Sequence, residues 1–140
     1  MPAPDPRANP LLLGHPDAEA TILDAIRAGR THHAWLITGP EGVGKATLAY
    51  RFARRLLAGQ PSHRSPEARP PDGASLADTL ALDSADPVFR RVAAGSHADL
   101  LTIERVLNEK TRRMKTQIAV EDVRRINGFM SLTPAEGGWR

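Results

Sequence analysis

The chain has no cysteine among its 140 residues. That excludes disulfides and thiolate metal sites, and it suits a reducing compartment. Aromatic residues are scarce, at 4%, too few for platforms on which single-stranded bases stack. No apolar run approaches the roughly eighteen residues of a membrane span, and no charged-then-apolar leader opens the chain. The expectation is a soluble, cytoplasmic protein with no membrane partner. Neither sign of charge dominates: the net charge is +3 and the isoelectric point about 9.9. Such a balance permits contact with DNA without arguing for it. What remains, 41% apolar and 25% charged residues, is ordinary for one globular domain with a real core.

The most informative stretch is Ala34 to Thr47, AWLITGPEGVGKAT. Ala34–Thr38 reads as a short buried strand, Gly39–Gly44 as a glycine-rich turn, and Lys45 as the opening of a helix. In that context the spacing G-x-x-x-x-G-K describes a phosphate-cradling P-loop. Glycines 39, 42 and 44 allow positive φ and bring backbone N–H groups close to an anion. The helix N-terminus adds unsatisfied donors and partial positive charge, and Lys45 supplies a full one. The candidate ATP-binding residues are therefore Gly39, Pro40, Glu41, Gly42, Val43, Gly44, Lys45, Ala46 and Thr47. The pattern breaks at Ala46, where a Ser or Thr hydroxyl normally holds Mg²⁺. Thr47 is no substitute, because one step along a helix turns the side chain by roughly 100°. ATP is the candidate ligand, and no metal is expected in this stretch.

Elsewhere the chain alternates helical and extended signals. Residues 1–10, with four prolines, read as a mobile arm. A helix is predicted from Pro16 to about Ala28, stopped by Gly29. His32 and His33 lack a nearby acidic partner and read as surface residues. The helix from Lys45 to Ala58 carries Leu48, Ala49, Phe52, Ala53, Leu56 and Leu57 on one face. Its Arg51, Arg54 and Arg55 are expected on a solvated one. Residues 59–75 are proline-rich and aperiodic, part of a variable insertion over 59–96. Within it, Leu76–Leu82 suggests a short helix, and Asp86-Pro87 begins another that Gly95 closes. Asp99–Ile103 is a second strand candidate. Lys110, Arg112, Arg113 and Lys115 form a cationic loop, expected to be solvated. A helix near Glu121–Ser131 has acids in its first turn and Val123, Ile126 and Met130 as its apolar stripe. Gly137-Gly138 makes a turn, and Trp139-Arg140 begins a further strand.

Alternation of this kind implies an α/β fold with a parallel sheet and crossover helices. Two or three strands do not complete such a sheet, and no acidic strand of the Walker B kind is present. The expectation is a piece of a longer protein, with 11–140 as the N-terminal part of a three-layer α/β/α P-loop domain.

These residues resemble the AAA+ modules of bacterial DNA polymerase III clamp-loader subunits, above all those of the delta-prime type. The resemblance lies in Leu13-Gly14-His15, in Gly29 to Leu36, in the loop Gly39–Thr47 and in His97-Ala98-Asp99-Leu100-Leu101. It continues in Ile118, in Val120 to Arg125, and in Gly137-Gly138-Trp139-Arg140. It implies a part in DNA replication, in a complex of gamma/tau and delta subunits that places the beta clamp on primed DNA. Delta-prime subunits carry a degenerate P-loop and act as stators, which suits Ala46 and implies no intrinsic enzymatic activity. Many such subunits hold zinc through four cysteines after the P-loop helix; none is present here, so no zinc is expected. The family's arginine finger would lie beyond Arg140. The family fold also flanks the P-loop strand with strands from later in the chain, which would leave 34–38 unpaired here. Two other functions remain open: an active ATPase of the gamma/tau type, and a small-molecule kinase, which would need the missing metal ligand.

Overall fold

The computed structural model describes residues 4–59, 78–136 and 138–139. Four helices dominate: α1 (Pro16–Arg27), α2 (Lys45–Ala58), α3 (Pro87–Ala93) and α4 (Val120–Met130). Between α3 and α4 lies a small antiparallel hairpin, β1 (Leu107–Asn108) and β2 (Arg113–Met114). Local chemistry sets the helix boundaries. Pro16 and Pro87 occupy first turns, where a missing N–H costs nothing. Asp86 caps α3 by accepting the Val88 N–H at 2.7 Å. In α4, Asp122 reaches back to accept the Ala119 N–H at 3.3 Å.

Helix α2 is the centre of the molecule. On one side it meets α1 through Leu48, Ile22, Leu23 and Leu80, with Trp35, Ile37 and Phe52 packed around them. On the other side Tyr50, Leu57 and Ala58 pack on Leu82, Val88, Phe89 and Val92. Trp35 sets its ring edgewise to Phe52 at 5.5 Å between centroids.

The third face of α2 corrects the sequence reading. Arg51, Arg54 and Arg55 are not solvated but buried, Arg54 to 1% exposure. Arg51 and Arg54 are covered by the N-terminal segment that reads as a mobile arm in the sequence. Arg54 donates to the Arg7 carbonyl at 2.7 Å and to the Asn9 carbonyl at 3.0 Å. Its guanidinium also lies over the Phe89 ring, 4.4 Å from the centroid. Arg51 donates to the Pro10 carbonyl at 2.6 Å and pairs with Glu19 of α1 at 2.8 Å. The physical reason is reciprocal. A proline-rich segment has few N–H groups for a ladder, so its carbonyls are left for side-chain donors. Burial pushes the Arg54 pKa down to about 10, with the neighbouring Arg51 charge adding to it, which still leaves it charged at neutral pH.

No parallel strand pairing forms among the described residues; the hairpin is the sheet present there. Residues 34–38 and 99–103 run without assigned strand structure. A strand exists only through a neighbour that takes up its ladder hydrogen bonds, and no described segment lies alongside either stretch in that way. Leu36 is accordingly 89% exposed. The short helix expected over 76–82 does not form in its described part, 78–82. Thr79 instead turns the chain by accepting the Ala81 N–H, so that Leu80 and Leu82 enter the two cores. Apart from Gly59, the proline-rich stretch 59–75 lies outside the described residues, as do residues 137 and 140.

Candidate functional site

The glycine loop takes the backbone course that its composition requires. Gly39, Gly42 and Gly44 have φ of 147°, 78° and 99°, in the region that side chains disfavour. Gly44 is also the N-cap of α2. A Cβ there would stand 3.1 Å from Leu12 Cδ1 and 3.7 Å from His15 Nε2. Gly44→Ala should therefore cost about 1–2 kcal/mol, combining left-handed strain with a tight contact. Urea unfolding compared with Gly42→Ala, whose Cβ would meet nothing within 4 Å, separates the two contributions.

Lys45 is tied to its own loop. Its ammonium donates to the Gly39 carbonyl at 2.8 Å and to the Pro40 carbonyl at 2.6 Å. His15 holds the other side, 2.5 Å from the Val43 carbonyl through Nε2. A carbonyl only accepts, so Nε2 carries the proton there. Two donors from different parts of the chain thus fasten the loop. Gly39, Pro40, Glu41, Gly42, Val43 and Ala46 are exposed, and Gly44 and Lys45 half-buried. Thr47 is 7% exposed, buried one helical step, roughly 100°, away from the exposed Ala46. The glycines and Lys45 fit a phosphate cradle. The donor set does not fit Mg²⁺ at position 46, where no oxygen exists.

A second polar cluster escaped sequence reasoning. Asp99, 2% exposed, accepts the Ala135 N–H at 2.7 Å and the Glu136 N–H at 3.0 Å. The Asp99 N–H donates to His97 Nδ1 at 3.2 Å. In the neutral ring the proton is then on Nε2, which faces Glu136 Oε2 at 3.4 Å. Arg91 of α3 also donates to the Glu136 carboxylate. The three acid and imidazole groups lie within 4.8 Å of one another, yet each carboxylate already serves backbone or guanidinium donors. The cluster is a latch joining 97–99 to 135–136. The His97–Leu101 motif marked one half; nothing in the sequence pairs it with Glu136.

A third network joins the N-terminal segment to the extended stretch after the latch. Arg7 Nε donates to the Tyr50 hydroxyl at 3.0 Å, and its Nη2 pairs with Glu104 at 2.9 Å. Tyr50 donates to Glu104 Oε1 at 3.0 Å. These partners raise the Arg7 pKa further above its ordinary value, the Tyr50 bond foremost. His32 and His33 are exposed, His32 with its ring edgewise to Trp35 at 5.4 Å. Lys110, Arg112, Arg113 and Lys115 are exposed on and beside the hairpin.

With this geometry in view, comparison with known proteins places the chain. Residues 14–140 match the family described as DNA polymerase III, delta subunit. The chain belongs to this clamp-loader family. It is also 38% identical over 45 residues to the DNA polymerase III subunit gamma of Buchnera aphidicola subsp. Acyrthosiphon pisum (strain APS). That alignment covers 32% of this chain and 12% of the relative. No solved structure matches. No helix among the described residues is long and apolar enough to cross a membrane.

Proposed function

We propose that this chain is the P-loop portion of a non-catalytic, delta-prime-like subunit, a stator in the cytoplasmic DNA polymerase III clamp loader. It acts with gamma/tau and delta subunits to load the beta clamp onto primed DNA. The observation that carries this reading is Ala46: the loop keeps its glycines and Lys45 but has no hydroxyl for Mg²⁺. The bonds from Lys45 and His15 add a structural reason for the loop to persist, as a corner that joins α1 to α2. ATP, where it binds, is a structural ligand. The exposed apolar residues Leu36, Val120, Val123, Ile126 and Met130 favour work through contacts, since such surfaces are covered in assemblies.

The second reading, an active ATPase of the gamma/tau type, draws on the 38% identity to a gamma subunit. Hydrolysis by the purified full-length protein separates the two. The stator reading expects turnover at background, and no gain from Ala46→Ser, because one restored ligand does not supply the remaining catalytic groups. Robust Mg²⁺-dependent hydrolysis by the unmodified protein would favour the motor.

A further inference from the structure

A cavity of about 220 Å³ lies between the N-terminal segment, the end of α3, the stretch 97–102 and the middle of α4. Arg7, Gly95, His97, Thr102 and Arg125 are among its lining residues. It is smaller than the roughly 300 Å³ at which drug-sized sites begin, a size that suits a small ion. Two of its lining residues, Arg7 and Arg125, are arginines. Arg7 uses Nε on Tyr50 and Nη2 on Glu104. Its Nη1 is turned towards Gly95, where an added Cβ would lie 3.8 Å away. Gly95 has φ of 67° and presents bare backbone at that point. Arg125 is exposed and has no carboxylate partner among the described residues. The carboxylates nearby are committed: Glu104 to Arg7, Glu136 to Arg91 and Asp99 to backbone N–H groups. The carbonyls of Arg90, Arg91 and Val92 at the end of α3 are taken by the N–H groups of Ala94, Ser96 and Gly95, and the partial negative charge of that helix end keeps the affinity for an anion low.

We infer that this pocket binds one small oxyanion of the phosphate class, held between Arg7 Nη1 and Arg125. It is a site separate from the glycine loop. Because Glu104 neutralises Arg7, one uncompensated guanidinium remains, and binding is weak and salt-sensitive. The test titrates inorganic phosphate into the full-length protein, followed by NMR shifts of the Gly95 and Thr102 amides. The wild type, Arg125→Gln, Arg125→Lys and Lys45→Ala are compared. Arg125→Gln alters an exposed side chain and leaves the fold intact. We expect saturable shifts in the wild type, affinity lowered at least about fivefold in Arg125→Gln, partial retention in Arg125→Lys, and no change in Lys45→Ala. A terminal phosphate on a short oligonucleotide, compared with the same oligonucleotide lacking it, distinguishes a nucleic-acid end from the free ion as the source. Absence of saturable shifts, shifts indifferent to Arg125→Gln, or shifts abolished by Lys45→Ala would each overturn the proposal.

Discussion

Replacing Arg54 with Ala should destabilise the protein by about 3 kcal/mol, a fall in Tm of roughly 10 °C for a domain of this size. Arg54 is 1% exposed, and its guanidinium serves the Arg7 and Asn9 carbonyls while lying over Phe89. Truncation leaves both carbonyls without their donor, opens a void beside Phe89 and releases the N-terminal segment. Arg54→Lys should recover only part of the loss, because an ammonium lacks the planar fork and its stacking face. Thermal unfolding measures the size of the effect. Trypsin cleavage after Arg7 reports its location, and should quicken before global unfolding begins. A loss under about 1 kcal/mol with unchanged cleavage would mean that the segment is not held by α2.

The second large effect is expected at Asp99. Asp99→Asn replaces an acceptor-only carboxylate by a group with one acceptor and two donors, so the Ala135 and Glu136 N–H groups are not both satisfied. The cost should be about 2 kcal/mol, since both bonds are charge-assisted and the side chain is buried. Hydrogen exchange at Ala135 and Glu136 should accelerate strongly, while exchange in α1 changes little. Uniform acceleration across the chain would instead show a general loss of stability, not an opened latch.

These two sites mark where the sequence was legible and where it was not. Helix α2 has the bounds its glycines and apolar spacing indicate, Lys45–Ala58, and Asp86-Pro87 opens α3 as a cap and a first-turn proline should. Such signals are local, written within a turn of where they act. The burial of Arg51 and Arg54 is decided by carbonyls more than forty residues away in sequence, in a segment whose prolines look like markers of mobility. The strand signals at 34–38 and 99–103 are genuine apolar runs, but pairing belongs to two segments at once. Val123, Ile126 and Met130 form the apolar stripe that the spacing indicates, yet all three are exposed, at 50%, 41% and 61%. Amphipathicity identifies a face that calls for cover and does not say what supplies it. In the glycine loop the composition sufficed, because positive φ at Gly39, Gly42 and Gly44 follows from the absence of a Cβ. The Lys45 and His15 bonds to the loop carbonyls have no signature in the sequence.

The stator reading rests on the glycine loop being structural and not catalytic. Its most direct test is clamp loading by a complex reconstituted with full-length protein carrying Lys45→Ala, after thermal unfolding has shown the variant to be folded. If the loop is a corner of the fold, loading should stay within about twofold of wild type, since no step depends on phosphate charge neutralised at this position. A loss of about a hundredfold or more in a folded variant would contradict that reading and make this subunit one of the complex's ATP-driven motors.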